Sequence, residues 1–486
     1  MHITQADNAS DHVYLPTGFY QLCIACFCSR AFAVAGHCGY HFKDARGTAR
    51  MHYKTNGELG KGGFGVVEEV VGEDGFLYAR KSLVVPPTLD PATVRPRFER
   101  EVRYQSAIKH QNVVQIIEYD LDAHPPWFIM YKADCSLEDE LNKDRTLAGD
   151  PKKALFDILA GLEEIHRRGY LHRDLKPGNV LKYRLKDGSH FYALSDFGLM
   201  AVGEDASSTL TPSGIGGGTP RYQAPECAIN FRRATTRSDI YSFGALLHDI
   251  FAANPKRLPH EELSAPGDIG KVIEKCTKRN AHRRYRDVEE LREALFNALS
   301  TYTFHFTSTE EAEVVGLLAD PGNPDAESWD RIFDFLDAND LNSQAATNVF
   351  RSIRREHIER LHADDQDLMI ALGGLYADHC RGGTFSFDYS DVLASKAQLF
   401  YDLGDTALKA KTAVAMLRLG TSHNRWFVEN MFLRMSSPAI DSALAERIAV
   451  ELDVLGINFQ WEFHHLSVSI KAQKSQLHPT LQALLK

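Results

Sequence analysis

The stretch that decides the fold is "YLHRDLKPGNVL", residues 170–181. Its centre combines two cations with the carboxylate of Asp174 and the amide of Asn179. A carboxylate can orient a hydroxyl nucleophile and accept its proton, while Lys176, two positions later, can contact a transferred phosphoryl group. The amide, five positions after Asp174, can hold a metal ion. Few structural needs select such a string, and it therefore predicts catalytic machinery for phosphoryl transfer.

A second motif supplies what the first one lacks. "ALSDFGL", residues 193–199, contributes Asp196 as a second metal ligand. Phosphoryl transfer depends mostly on positioning and on neutralising charge around the reacting oxygens, so it needs an acid, a lysine and metal ligands together. A purely structural origin for both motifs at this separation is disfavoured, and we interpret them as one catalytic constellation.

The stretch "LGKGGFGVV", residues 59–67, is rich in glycine. The segments "GFGVVEEVV" and "FLYARKSLV" are typical of short strands, and "GEDG" between them predicts a turn. Because strands are expected on both sides of the glycines, the glycines are predicted to lie in a hairpin rather than in the strand-to-helix turn of a dinucleotide-binding fold. A glycine hairpin can lie close to phosphates because no Cβ blocks the approach of its backbone N–H groups. By itself the pattern also fits a flexible turn. The candidate nucleotide-binding residues here are Gly60, Lys61, Gly62, Gly63, Gly65 and Val67.

Lys81, in "YARK", lies near the end of the strand that follows the glycines. An exposed strand lysine is usually only solvated, whereas one that contacts phosphates must be held, and a glutamate on a nearby helix would hold it. The predicted helix contains "FEREVRY", residues 98–104, with two candidates, Glu99 and Glu101. Glu101 fits the apolar spacing of Phe98 and Val102 better, so we expect it to be the partner of Lys81.

These motifs and their order resemble the eukaryotic-type protein kinase family over about residues 51–300, roughly half of the chain. "GTPRYQAPE", residues 218–226, is similar to the end of a kinase activation segment. "SDIYSFG" matches the helix whose aspartate, here Asp239, supports the catalytic loop in the family. "NAHRRY" carries Arg284, which in the family pairs with the glutamate found here as Glu226.

The resemblance implies an active serine/threonine protein kinase that transfers the γ-phosphate of ATP to protein hydroxyls. Lys81, held by Glu101, would contact the α- and β-phosphates of ATP. Asp174 would orient the acceptor hydroxyl, and Lys176 would contact the γ-phosphate. The ligands of Mg²⁺ would be Asn179 and Asp196.

The hinge and the nucleotide pocket come from the same resemblance. "FIMYKAD", residues 128–134, places Met130 at the gatekeeper position and Tyr131 where an acidic residue is common. Backbone groups of the hinge usually hold adenine in the family, so Tyr131 does not argue against nucleotide binding. The resemblance adds Ala79, Met130 and Lys132 to the expected nucleotide-binding residues.

Lys176 and Thr219 resemble the serine/threonine branch of the family. Arg173, beside Asp174, implies control by phosphorylation of the activation segment, because an arginine there could pair with a phosphate. The alternative is a polar loop without a regulatory role. The candidate regulatory residues of "GEDASSTLTPSGIGGGT", residues 203–219, are Ser207, Ser208, Thr209, Thr211, Ser213 and Thr219.

The expected fold class is α+β, with a bilobal kinase domain over residues 51–303. A small β-rich lobe precedes a mainly helical lobe, and residues 304–486 carry helical periods throughout. That last part resembles a helical solenoid of HEAT type, with an irregular helical bundle as the alternative. We expect it to recruit a protein partner or substrate, and its deletion to spare transfer to a generic peptide. The sequence does not indicate an oligomeric state.

Residues 1–50 form an extension rich in His, Cys and aromatic residues. Its spacing admits a zinc site, although the residues between the candidate ligands are apolar and lack the glycine or proline of typical knuckle turns. An apolar extension that packs on a lobe, or one without fixed structure, is the favoured alternative. The candidate zinc ligands are Cys23, Cys26, Cys38 and His41.

Composition and net charge limit the partners and the cell compartment expected for this chain. The 486 residues carry a formal net charge of −10, which implies no general attraction to nucleic acid or anionic membranes. No apolar stretch reaches the ~18 residues of a membrane helix, and the scattered cysteines suggest reduced thiols in the cytoplasm. Two other functions stay open: a nucleotide-binding scaffold with weak catalysis, and a kinase of small molecules.

Overall fold

The computed structural model describes most of the chain from Met51 to Leu485. The described residues are 51–62, 65–85, 87, 90–185, 188–196, 220–230, 233–319 and 324–485. Several predictions fall outside these ranges. They concern the candidate zinc ligands Cys23, Cys26, Cys38 and His41, the glycine Gly63, and the candidate regulatory residues of 203–219.

The first lobe is built on a five-stranded antiparallel sheet. Its strands are β1 (Tyr53–Gly62), β2 (Gly65–Gly72), β3 (Leu77–Leu83), β4 (Ile116–Asp120) and β5 (Trp127–Tyr131). They lie in the order β1-β2-β3-β5-β4. The predicted "GEDG" turn joins β2 to β3, and its Gly75 has a φ of 77°, a left-handed conformation that glycine adopts without steric cost.

One helix, α1 (Pro91–Ala107), packs against this sheet. Asp90 caps its start, since its side chain accepts a backbone N–H of the first turn, and a proline occupies the first helical position. Val94, Phe98 and Val102 recur at helical spacing and are buried in the apolar core of the sheet. This packing fixes the rotation of α1 about its axis and therefore the direction of its later side chains.

The second lobe is mainly helical. Its helices are α2 (Leu137–Lys143), α3 (Lys152–Arg167), α4 (Pro225–Ile229), α5 (Thr236–Phe251), α6 (Gly267–Cys276) and α7 (Val288–Leu299). Its small sheet contains β6 (Cys135–Ser136), β7 (Val180–Arg184) and β8 (His190–Leu194). Helix α5 approaches α6 closely at Gly244, where a Cβ would lie 2.4 Å from the Cβ of Cys276. The predicted α+β, bilobal kinase fold is confirmed.

The remainder, residues 304–485, contains only helical elements among its described residues, and we call it the helical region. Its helices are α8 (Thr309–Ala319), α9 (Ala326–Ala338), α10 (Gln344–Ser352), α11 (Arg355–Asp364), α12 (Gln366–Gly382), α13 (Phe387–Leu403), α14 (Thr406–His423), α15 (Trp426–Met435), α16 (Ser442–Val454), α17 (Phe459–Ser469) and α18 (Pro479–Gln482). The all-α prediction is confirmed, whereas the repeat class stays a prediction. Within the described part of the chain, no helix is long and apolar enough to cross a membrane.

An apolar core runs from the second lobe into the helical region without a break. Leu155 of α3 and Leu295 of α7 belong to the same buried cluster as Phe400 of α13. The described residues of His52–Tyr183 and Phe191–Lys486 accordingly form one compact unit. The domain boundary at residue 303 stays a prediction, but the shared core means that the helical region is not an appendage on a flexible linker.

Candidate active site

The glycines of the first lobe lie in a hairpin, as the sequence predicts. Gly60 pairs with Val67 and Gly62 with Gly65, so strand backbone lies on both sides of the turn. A Cβ on Gly65 would lie 3.1 Å from the carbonyl oxygen of Ser82 and 3.3 Å from the Cε of Lys81. Glycine at this position therefore lets the hairpin lie directly against the lysine strand.

Lys81 of β3 is held between two carboxylates. Its Nζ donates a hydrogen bond to Asp196 Oδ1 at 2.5 Å and lies 3.7 Å from Glu101 Oε1. The competing helix residue, Glu99, instead accepts a hydrogen bond from Arg95 Nε at 2.8 Å, one turn earlier in α1. The structure thus brings together the three residues that sequence motifs in three separate segments predicted, with Glu101 as the partner.

Burial and the neighbouring charges shift the pKa values of Lys81, Glu101 and Asp196 in opposite directions. Burial disfavours the charged form of Lys81, but Asp196 and Glu101 outweigh it and raise the pKa of the lysine. Burial raises the pKa of Glu101 to about 7, although Lys81 acts in the other direction. For the partly exposed Asp196, the neighbouring lysine outweighs the loss of hydration and holds the pKa of the carboxyl below its ordinary value. At neutral pH the site therefore holds a cation beside an anionic Asp196.

The catalytic loop brings its three predicted residues into hydrogen-bond contact. Asp174 Oδ2 accepts hydrogen bonds from Lys176 Nζ at 2.8 Å and from Asn179 Nδ2 at 3.0 Å. The carbonyl oxygen of Asn179 accepts the backbone N–H of Ser195, the residue before Asp196, at 2.9 Å. Hydrogen bonds and backbone adjacency thus connect the candidate base, the lysine and both candidate metal ligands.

Asp239 of α5 supports the loop from beneath, as the resemblance implied. Its Oδ2 accepts the N–H of His172 at 2.9 Å, and its Oδ1 accepts the N–H of Arg173 at 2.8 Å. Arg173 has a φ of 68° and Asp196 a φ of 55°, a left-handed region that costs a side-chain-bearing residue about 1–3 kcal/mol. The surrounding hydrogen bonds hold this strained backbone in place.

The sequence interpretation missed a histidine that completes this support. The ring Nε2 of His166, on α3, lies 2.7 Å from Asp239 Oδ2. Burial disfavours the charge on Asp239, but the hydrogen bond with His166 and those of the loop hold the pKa of the carboxyl below its ordinary value. The available signal was a histidine on the otherwise apolar face of α3.

The late motifs also pair as the resemblance implied. Arg284 Nη1 and Nη2 donate to Glu226 Oε1 and Oε2 at 2.7 and 2.8 Å, and Ser238 Oγ donates to Glu226 Oε1 at 2.8 Å. Arg284 is 3% exposed, so this two-point ion pair is enclosed by the lobe. It fixes the start of α4, which follows the activation segment.

Two of the predicted nucleotide-binding residues, Ala79 and Met130, lie on neighbouring strands. Ala79 of β3 is paired with Met130 of β5, and both are buried in the core of the first lobe. The side chain of Lys132 forms an ion pair of 2.5 Å with Glu69 of β2, a contact that sequence reasoning missed. The Lys132 side chain therefore braces the sheet, which leaves its backbone as the part suited to a hinge role.

The side-chain donor atoms of the site bear on which metal ion it could hold. Among the residues that the structure describes, no group of three or more His, Cys, Asp or Glu side chains is arranged to hold a metal ion. The candidate magnesium ligands are instead one carboxylate, Asp196, and one amide, Asn179. Oxygen donors of this kind suit Mg²⁺, which keeps several of its own waters and takes further ligands from substrate phosphates.

Comparison with known proteins agrees with this arrangement. A family model described as "Protein kinase domain" matches residues 53–305, more than half of the chain. The chain therefore belongs to the protein kinase family. The match begins at the first strand of the sheet and ends at residue 305, before the first helix of the helical region.

Curated relatives of this chain are named as serine/threonine-protein kinases. Serine/threonine-protein kinase pkn2 of Myxococcus xanthus is 34% identical over 207 residues, 42% of this chain and 24% of the relative. Serine/threonine-protein kinase Pkn1 of the same organism is 34% identical over 209 residues, 42% of this chain and 29% of the relative. Probable serine/threonine-protein kinase PknB of Lactococcus lactis is 30% identical over 266 residues, 49% of this chain and 40% of the relative. The chain thus spans less than half the length of these relatives.

Proposed function

We propose that this chain is an active serine/threonine protein kinase. One observation carries the proposal: Lys81, Glu101 and Asp196 form a single charged cluster that backbone hydrogen bonding joins to Asp174 and Asn179. A scaffold that only binds nucleotide has no need of the catalytic carboxylate and its lysine. The names of the relatives support serine or threonine as the acceptor, and so does Lys176 beside Asp174.

The proposed role of each residue follows from its charge and from its position in the site. The glycine hairpin would lie over the ATP phosphates, and the cation of Lys81 would contact them. Asp174 is positioned to orient the acceptor hydroxyl and take its proton, with Lys176 countering charge on the transferred group. Mg²⁺ held by Asn179 and Asp196 would supply neutralisation of phosphate charge.

We extend the proposal to the regulation of the kinase, to its partners and to its compartment. Arg173 is half-buried beside the base and would pair with a phosphorylated residue of 203–219, which would make activation dependent on phosphorylation. The solvent-facing surface of the helical region would recruit a protein partner or substrate. The free, buried thiols of Cys227, Cys276 and Cys380 suit a reducing compartment such as the cytoplasm.

The decisive experiment removes the proposed base without changing its size. We expect Asp174→Asn, in the full-length protein, to lower γ-phosphate transfer to a generic protein substrate by about 10³-fold or more, with ATP affinity nearly unchanged. The matched control is Asp268→Asn, which changes an exposed aspartate paired with Lys271 on the same helix.

The outcomes separate the three candidate functions. Undiminished transfer in Asp174→Asn contradicts the assignment of the base. ATP binding without transfer in the wild type favours the nucleotide-binding scaffold. Phosphoamino-acid analysis of the autophosphorylated protein distinguishes a protein kinase, which yields phosphoserine or phosphothreonine, from a kinase of small molecules.

A further inference from the structure

Helix α3 buries three carboxylates along its length. Asp157, Glu163 and Glu164 are 7%, 8% and 6% exposed. An isolated ion in an apolar interior is strongly disfavoured, so each carboxylate requires cationic or hydrogen-bonding partners. Some partners lie on α3 or at its end, at Lys153 and Arg168. Others come from α7 and β8.

Arg292 of α7 is the central link. Its side chain is 0% exposed and forms an ion pair with Glu163. Its Nη1 donates a hydrogen bond to Ser395 Oγ of α13 at 2.7 Å. The guanidinium also lies over the ring of Phe427 in α15, 4.4 Å from the ring centroid. One arginine therefore joins α3 to two helices of the helical region.

Two arginines of the helical region lie near the same helix. Burial raises the pKa of Asp157, and the charges of Lys153 and, more weakly, Arg425 counter that effect. Burial lowers the pKa of Arg434, and the negative charges of Glu163 and Glu164 counter it. The helical region thus places positive charge beside the row of carboxylates on α3.

Helix α3 in turn contacts both halves of the candidate active site. His166 at its end meets Asp239, which accepts two N–H groups of the catalytic loop. Earlier in the helix, Asp157 accepts the backbone N–H of Tyr192 at 3.0 Å. Tyr192 belongs to β8, the strand that leads to Asp196. A displacement of α3 would therefore shift the catalytic loop and the candidate metal ligand Asp196.

We propose that the helical region is a fixed support for α3, and that Arg292 is a positioning residue that acts on the catalytic loop through Glu163. The proposal rests on the proposed function, because it assigns Arg292 a role in the same reaction. Arg292 contacts none of the candidate catalytic residues directly. Its effect passes through Glu163 and α3 to His166 and Asp239.

The test compares Arg292→Met with the wild type as full-length protein, at a temperature where circular dichroism shows both to be folded. We expect kcat for transfer to a generic protein substrate to fall about tenfold, while the KM for ATP changes less than about twofold. Loss of positioning acts on the transition state, whereas the residues expected to contact ATP are not altered. In the nucleotide-free protein, the N–H groups of His172 and Arg173 should exchange hydrogen faster.

Two further variants separate positioning from stability. Arg418→Met breaks an ion pair with Glu462, which is 2% exposed, inside the helical region. It should lower the thermal midpoint and leave kcat per folded molecule unchanged. The double variant Glu163→Gln with Arg292→Met removes both charges of the pair, so it should regain thermal stability while kcat stays low.

Clear results would overturn the proposal. One is an unchanged kcat per folded molecule in Arg292→Met, and another is full recovery of kcat in the double variant. A wild type without phosphoryl transfer would refute the proposed function instead. The hydrogen-exchange comparison would then still decide the positioning role, since equal exchange in Arg292→Met and wild type contradicts it.

Discussion

The Lys81–Glu101 ion pair of the candidate active site is looser than the Arg425–Asp391 ion pair of the helical region. Glu101 Oε1 lies 3.7 Å from Lys81 Nζ and accepts no hydrogen bond from any described residue. The side chain of Asp196 is 45% exposed. By contrast, Asp391 of α13 is 1% exposed and accepts two hydrogen bonds from Arg425.

This difference separates two uses of buried charge. A site that must admit phosphates and a metal ion needs atoms whose bonding capacity is not already filled, even though such atoms cost stability. Ion pairs that only hold helices together are closed to ligands and to solvent. We therefore expect changes in the first group to reduce activity before stability, and changes in the second group to reduce stability first.

Deletion of residues 306–486 removes nearly all of the helical region, and we expect the largest effect from it. Sequence patterning suggested that the remaining kinase domain would stay active, but the shared core predicts the opposite. The deletion exposes Phe296 of α7, whose ring stacks on Tyr389 of α13, and each buried side chain of this size that becomes exposed costs about 1.5–3 kcal/mol. Circular dichroism should show no cooperative thermal unfolding. A soluble, cooperatively folding and active fragment 51–305 contradicts this expectation.

Arg425→Met tests the closed ion pair of the helical region. Its loss leaves Asp391 as an uncompensated buried charge, so the free energy of unfolding should fall by about 3–5 kcal/mol. Urea denaturation monitored by fluorescence measures the change. The control is Arg447→Met, which removes an arginine 46% exposed in a pair with Glu451 one turn away, and should cost at most about 1 kcal/mol. Equal losses in the two variants would show that enclosure does not matter here.

The smallest expected effect is a pH dependence at the open pair. Burial raises the pKa of Glu101 from 4.5 to about 7, so between these pH values the folded protein keeps a proton that the unfolded chain releases. Stability should therefore fall as pH rises through this window. Activity should rise a few-fold over the upper part of it, because the ionised carboxylate holds Lys81 better.

Urea midpoints and transfer rates measured between pH 5 and 8 (about the range set by that shift) check this. In Glu101→Gln both slopes should flatten, whereas Glu99→Gln, whose native partner is Arg95, should keep them. Parallel pH profiles for wild type and Glu101→Gln would rule out Glu101 as the titrating group.

Much of the site could be predicted from sequence because each motif is short and local. Asp174, Lys176 and Asn179 lie within one loop, and their spacing alone predicts their contact. The choice of Glu101 over Glu99 also followed from local information, since helical periodicity decides which side chain faces the sheet. These predictions needed only the backbone geometry of one turn or one helix.

The support of α3 could not be predicted in this way. Glu163 and Arg292 lie on different helices, and each looks like an ordinary surface charge in its own segment. Ser395 and Phe427 are further away along the chain and carry no motif. Only packing brings them together, because the apolar faces of α3, α7, α13 and α15 share one core.

The amino-acid sequence by itself determined the family, the order of the catalytic motifs and the all-helical character of the last part of the chain. These properties depend on residue type and short-range spacing, which the chain carries in any conformation. The tertiary structure alone decided that the helical region shares a core with the catalytic lobe and that Arg292 is buried against Glu163. Burial and long-range ion pairing arise only when distant segments exclude water together, and no local pattern encodes that event.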